Sequence, residues 1–249
     1  MIPLKDVNPT RRPAVLTIAL IVVCVLVFAY QQTKADDLSL DSRQGFICEY
    51  GLIADNVVHG NGREPVDGCD HLNQEQPRFL ALLTSLFLHA DWLHLGFNML
   101  FLWVFGNNIE ERLGRIRYIP FFLVCGILAT MAQVAVDPGS QVPLIGASGA
   151  ISGILGAYLV LYPRVRVWTV VLPLFFLPFK LPAWIWLLIY LGLQLLYLGD
   201  DATAGGGGVA YMAHIGGFIA GAVLIRPFLV GRDPDPPAAP ASPVVGRAW

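Results

Sequence analysis

Apolar runs separated by short polar stretches dominate this chain. A helix that spans a bilayer needs about 20 mostly apolar residues. Six segments approach that length: 14–31, 79–107, 116–136, 146–162, 182–198 and 208–229. The first is too long for the apolar region of a signal peptide, and no small-residue cleavage site follows it. The second is interrupted by His89, Asp91, His94 and Asn98. Residues 168–179 are apolar too, but they are few and broken by Pro173 and Pro178, which predicts an interfacial or partly re-entrant piece rather than a further span.

Composition agrees with the pattern. Of 249 residues, 55% are hydrophobic and 14% charged, against about 25% charged in soluble domains. There is too little polar surface to clothe a soluble fold. The hydrophobicity also excludes a disordered chain. With 16 Lys and Arg against 18 Asp and Glu, there is no basic excess of the kind that a nucleic-acid partner selects. The expected fold is therefore an all-α, multi-pass membrane protein of six helices.

Basic residues set the orientation. With the N-terminus inside, Lys34, Arg43, Arg63 and Arg78 fall in the first outer loop, and the other twelve of the 16 Lys and Arg fall on inner segments. Both termini are thus expected in the cytoplasm. The layout that follows is a cytoplasmic N-terminus (1–13), a first transmembrane helix (14–31), an outer loop (32–78), a five-helix core (79–230) and a Pro/Ala-rich cytoplasmic tail without chemistry (231–249). Cys48 and Cys69 lie in the acidic outer loop, where they can pair on an oxidising face or stand as two free thiols. Cys24 and Cys125 lie within spans, where a thiol serves as a small apolar group.

Strongly polar groups inside a bilayer are costly and point to function. Three clusters stand out. Gly146-Ala147-Ser148-Gly149-Ala150-Ile151-Ser152-Gly153 opens the fourth span. Gly149, Gly153 and Ala157 recur every four residues, a stripe that lets another backbone come close; a serine at a helix start also faces free N–H groups that favour developing negative charge. In the sixth span, His214 shares a face with Gly217 and Gly221, and Ala213 aligns with the same glycines. Close approach of these two striped helices would bring Ser148 and His214 together, and an imidazole that takes a hydroxyl proton makes serine a nucleophile. At the start of the second span, His94 and Asn98 are four apart and project from one helix face, as two donors suited to an oxyanion. His89, five positions earlier, is expected to be turned away and structural. A metal site ranks lower: His89 and His94 lack the spacing of a zinc-binding helix, and neither carboxylate nor thiolate stands near His214 in sequence.

Taken together, these residues resemble the rhomboid intramembrane serine proteases. The motifs of that family occur here in order, from about Arg78 to Leu229: His94 and Asn98, then Glu110 and Arg112 followed by Leu113-Gly114, then Gly146, Ser148 and Gly149, then Ala213, His214, Gly217 and Gly221. The resemblance implies a six-helix bundle around a water-filled cavity open to the outer face. It implies Ser148 as nucleophile, His214 as general base and then acid, and an oxyanion met by His94, Asn98 and the Ser148 backbone N–H. Glu110 and Arg112 would form a structural network at the cytoplasmic end of the second span, the alternative being a surface ion pair. No carboxylate stands ready as a third member, so packing must orient the imidazole. Where some members carry an aromatic four residues after the nucleophile, this chain has Ser152, which could donate a hydrogen bond. Where many carry Trp-Arg in the first loop, it has Pro77-Arg78.

The implied function is cleavage of single-pass membrane proteins in or near their transmembrane segment, through an acyl-enzyme, in the cell membrane, with no cofactor, no metal and no nucleic-acid partner. The fifth span and the Gly205–Gly208 run are candidates for a lateral gate. The competing reading is a catalytically inactive rhomboid-like protein that binds membrane clients; a proton-conducting bundle is a second rival, without the repeat that transporters show.

Overall fold

A computed structural model of the chain describes residues 1–33, 40–60, 78–171, 175–204 and 210–232. The protein is mostly helical, with a small sheet at one end. Strand β1 (Ile2–Asp6) is followed by helices α1 (Val15–Thr33), α2 (Leu40–Tyr50), α3 (Ala54–His59), α4 (Arg78–Thr84), a 3₁₀ turn (Ser85–Phe87), α5 (Trp92–Leu113), α6 (Arg115–Val136) and α7 (Ser148–Leu161). Strands β2 (Arg166–Val171) and β3 (Phe175–Pro182) precede α8 (Ala183–Ala204) and α9 (Tyr211–Leu229). Among the described residues, α1, α6 and α9 are each long and apolar enough to cross a membrane, and the bent pair Phe79–Phe87 and Trp92–Leu113 makes a fourth if it counts as one span. Their outward faces carry exposed apolar side chains, such as Leu26 on α1, Met131 on α6 and Val223 on α9. That is what a lipid-facing surface requires.

Two expectations are corrected here. The chain is not all-α: residues 166–182 form an antiparallel hairpin, and β1 adds to its edge in the order β1-β2-β3. Ile2 pairs with Val170 and Val167 with Leu181. In β2, Val167 and Thr169 are buried while Arg166 is exposed; this is the period-2 alternation of a one-sided strand. Pro178 is not among the residues that pair with β2, and β3 is an edge strand, where a proline is tolerated. The second predicted span is also not one helix. Phe79–Phe87 and Trp92–Leu113 meet at 89°. Asp91 is the reason: its carboxylate accepts the His94 backbone N–H at 2.8 Å, which starts α5 anew. Cys69, the Gly205–Gly208 run and the tail beyond Arg232 lie outside the described residues; Cys48, the other cysteine of the possible pair, is buried.

Helix α7 is wrapped by α5, α6 and α9, and its packing against α9 is backbone to backbone. A Cβ built on Gly217 would overlap the Gly149 carbonyl, one on Gly221 the Gly153 carbonyl, and one on Gly156 the Phe218 carbonyl. The stripe on α7 runs through Gly149, Gly153 and Gly156, and Ala157, next in the four-residue spacing from Gly153, is buried in the main core. Gly149 and Gly153 also meet α6, at the Ala129 and Cys125 side chains. Below the site, Phe105 packs edge-on against Tyr158 at 5.0 Å and tilted against Trp186 at 5.5 Å, which ties α5, α7 and α8 together.

Glu110, near the end of α5, is buried and caps α1. Its Oε1 accepts the Leu16 N–H at 3.0 Å, and its Oε2 accepts the Thr17 N–H at 2.7 Å and the Thr17 hydroxyl at 2.8 Å. An anion on a helix N-terminus is favourable, so Glu110 is a structural clasp rather than half of a surface ion pair.

The sheet is pinned by a second polar group. Asp6 Oδ2 accepts from the Tyr158 hydroxyl at 2.5 Å and from Asn108 Nδ2 at 2.7 Å. Burial raises the pKa of Asp6 above its usual carboxylate value, against the opposing pull of the Tyr158 and Asn108 hydrogen bonds. A group whose folded pKa is raised favours folding most while protonated, and that contribution is lost as pH rises from the unfolded value through the folded one. Protection of the Ile2–Asp6 amides against hydrogen exchange, corrected for intrinsic rate, is therefore expected to fall as pH rises from about 4 toward neutrality, and Asp6→Asn is expected to flatten that dependence. A profile that rises with pH in the native chain would contradict this origin.

Candidate active site

The site forms where the starts of α5, α7 and α9 meet. The approach to α7 is fixed first. Leu52 and Leu144 exchange backbone hydrogen bonds at 3.1 and 2.7 Å, so the α2–α3 region braces the segment leading to Ser148. Gly146 donates its N–H to the Ser85 carbonyl at 2.8 Å. Its φ is +121°, open to glycine and strained for other residues. A Cβ there would also stand 3.0 Å from His94 Nε2. Ser148 then begins α7, with its backbone N–H among the unpaired groups of a helix start.

His214 lies in the first turn of α9. The Ser148 hydroxyl donates to His214 Nε2 at 2.9 Å. On the other side of the ring, His214 Nδ1–H donates to Gln194 Oε1 at 2.8 Å. A carbonyl oxygen can only accept, so it fixes the tautomer: the proton sits on Nδ1, and Nε2 is left bare toward the serine. The sequence offered Ser152 for this task. Ser152 instead shares a hydrogen bond with the Tyr190 hydroxyl at 2.7 Å and is buried. Gln194 was missed because a lone glutamine in an apolar helix carries no motif. The available signal was its cost: a polar side chain midway along the fifth span requires a partner.

His94 and Asn98 share one face of α5, as their spacing required. His94 Nδ1 accepts the Ala90 N–H at 3.3 Å, which places the ring proton on Nε2, the atom facing Gly146 and Ser148. Asn98 is buried and donates one amide hydrogen to the His94 carbonyl at 2.9 Å, leaving the other for a ligand. His89 is not turned away from this pair. It precedes α5 instead of lying on it, and its buried ring packs edge-on against His94, with centroids 5.3 Å apart. Its backbone carbonyl accepts from Gln31 Nε2 at 2.8 Å, which also ties the end of α1 to the site. Ala213 donates its N–H to Gln133 Oε1 on α6 at 3.2 Å. A small cavity of about 30 Å³ lies beside Ser148, lined by Thr130, Leu144, Gly149 and Ala210 among others, which is room for a water or a methyl-sized group. Among the described residues, no three His, Cys, Asp or Glu side chains are grouped to hold a metal ion.

A hydroxyl bonded to a bare imidazole nitrogen can generate a nucleophile, and the ring N–H of His94 and the free amide hydrogen of Asn98 are donors of the kind that suit an oxyanion. Comparison with known proteins agrees on the family. Residues 76–230 match the model of the Rhomboid domain. The chain belongs to the rhomboid family. It is 27% identical over 146 residues to Rhomboid protein 1, mitochondrial, of Saccharomyces cerevisiae, covering 57% of this chain and 40% of that one. It is 40% identical over 84 residues to Rhomboid protease GluP of Bacillus subtilis, covering 34% and 16%. It is 35% identical over 110 residues to Putative rhomboid protease YdcA of the same organism, covering 44% and 53%. The matched stretches thus span about half or less of these relatives.

Proposed function

We propose that this rhomboid is an active intramembrane serine endopeptidase that cuts single-pass membrane proteins in or near their transmembrane segment. The observation that carries this reading is the 2.9 Å contact between Ser148 Oγ and His214 Nε2. Ser148 attacks the substrate carbonyl while His214 takes its proton. The oxyanion is received by the Ser148 backbone N–H, His94 Nε2–H and the free amide hydrogen of Asn98. His214 then protonates the leaving amine, and water hydrolyses the acyl-enzyme. Gln194 keeps the imidazole in the reactive tautomer throughout. The small cavity beside Ser148 favours a small side chain at the cut. The test is incubation of the purified protein with a panel of single-pass substrates alongside His214→Ala; the reading fails if the two preparations cleave alike. The rival reading, an inactive client-binding protein, gains nothing from a serine and a histidine held in contact.

The same proposal includes six membrane segments, both termini in the cytoplasm, the layout given above and residence in the cell membrane. Two features support the topology. Pairing of β1 with β2 requires residues 2–6 and 166–171 to lie on one side of the membrane, the side on which the basic residues also collect. Helix α7 has 14 residues, about 21 Å of rise against a hydrocarbon core of about 30 Å. With its C-terminal end, Leu161, at the inner face, Ser148 stops short of the outer one and works from within the bilayer.

Two substitutions test the roles assigned around the dyad. Asn98→Ala removes one oxyanion donor and is expected to lower kcat by about 10²–10³ with the substrate still bound. Gln194→Leu leaves His214 Nδ1–H without its acceptor and is expected to lower kcat by on the order of tenfold or more, with little change in KM, because the wrong tautomer becomes accessible. Equal turnover in Gln194→Leu and the native chain would remove Gln194 from the mechanism.

A further inference from the structure

A second cavity lies far from Ser148, at the opposite end of α5. It measures about 810 Å³ and is lined by Arg12, Arg115, Arg117 and Arg232, with Glu111 and Ile116 beside them. The four arginines come from three separate places: the lead-in to α1, the first turn of α6, which supplies two, and the segment after α9. Among the described residues, none of the four is in an ion pair. Two are aimed by the backbone: Arg117 Nη1 donates to the Phe228 and Val230 carbonyls at 2.7 and 3.0 Å, and Arg232 Nη2 donates to the Glu111 carbonyl at 2.9 Å. The two carboxylates at the cavity are engaged elsewhere. Glu111 Oε1 accepts the Arg11 and Arg12 backbone N–H groups, and Glu110 caps α1. Four guanidinium groups against two carboxylates leave the cavity with an excess of positive charge.

Its position gives the ligand. The three helices long and apolar enough to span a membrane all have an end here: α1 and α6 begin at the cavity and α9 finishes at it. Ile116, on its rim, is 90% exposed, which suits a side chain resting in lipid and not in water. The cavity is therefore at a membrane face, between helix ends, with an apolar rim.

From this we infer that the cavity binds the phosphate headgroup of an anionic phospholipid, with its acyl chains passing Ile116 into the bilayer. Planar guanidinium groups match phosphate oxygens two at a time, and basic pockets between helix ends hold such headgroups. A general excess of positive charge on the inner face explains why arginines are frequent here; it does not explain why four unpaired ones surround one cavity.

The probe is dioleoyl phosphatidylglycerol. The full chain is reconstituted in phosphatidylcholine discs with a minor fraction of that lipid, then released into the gas phase for native mass spectrometry. The native chain is expected to retain phosphatidylglycerol in preference to phosphatidylcholine. Arg115→Gln with Arg232→Gln is expected to lower that retention by on the order of tenfold, whereas Arg164→Gln with Arg166→Gln, where the chain enters the hairpin on the same face, leaves it unchanged. Equal losses in the two double variants would reduce the effect to general surface attraction and overturn the proposal. So would retention unaffected by Arg115→Gln with Arg232→Gln. A separate arm adds millimolar inorganic phosphate: displacement of the lipid by phosphate alone would make this a site for free anions, and resistance to it supports the lipid. Since lipid retention is read without any substrate, its failure is distinct from failure of the protease reading.

Discussion

Ser148→Ala is expected to lower cleavage of a single-pass substrate by about 10⁴-fold or more and to abolish labelling by a fluorophosphonate, while leaving the fold as it is. The loss is total in kind because the hydroxyl is the atom that forms the covalent bond. The fold is spared because the Ser148 hydroxyl's contact is with His214, which still holds Gln194 on its other nitrogen. His214→Ala should fall almost as far, and the double variant no further than Ser148→Ala, since the two groups act as one unit. Labelling of Ser148→Ala at the native rate, or retained cleavage, would mean that a different residue is the nucleophile. The comparison is made at equal amounts of folded protein, judged by thermal unfolding in the same detergent.

The second large effect concerns packing. Gly221→Val is expected to destabilise the protein by about 3 kcal/mol or more, read as a drop in Tm of roughly 10 °C or as failure to accumulate. At this position a Cβ would stand 2.6 Å from the Gly153 Cα and closer still to its carbonyl oxygen. Both obstacles are backbone on a helix hemmed in by α5 and α6, so no rotamer change relieves them. The branches of valine add to the conflict. Gly192→Ala is the matched control. It lies on α8 with nothing within 4 Å of the added methyl, and alanine suits a helix better than glycine, so Tm should hold or rise slightly. Because α7 carries Ser148 and α9 carries His214, any separation of these helices also parts the dyad. If Gly221→Val were as stable as the native chain, the backbone contact could not be what sets the distance between α7 and α9.

The parts legible in the sequence were those written in local spacing. Glycines at intervals of four marked the close-packed faces of α7 and α9, and a histidine four residues before an asparagine marked one face of α5. These patterns lie within single helices, and lipid makes each polar interruption conspicuous. What escaped was set across long separations. Residues 168–179, most of the hairpin, suggest an interfacial or partly re-entrant piece because an apolar stretch with two prolines suits either structure, and β1 leaves no local signal because its partner lies more than 160 residues away in sequence. Asp91 was noted as an interruption, yet its side-chain bond to the His94 N–H is what splits the second span. His89 was placed by helical periodicity, which does not apply to a residue ahead of the helix. Gln194 carried no pattern at all; only its contact with His214 gives it meaning.

The pairing of Ile2 with Val170 also imposes an order on biosynthesis. The first strand to leave the ribosome has no partner until α1, α5, α6 and α7 have been made. The N-terminal residues must wait, unpaired, beside the membrane while those helices insert. Contacts between such distant parts of a chain form late, so closure of this strand is the event that can report that the earlier helices have all arrived on their proper sides.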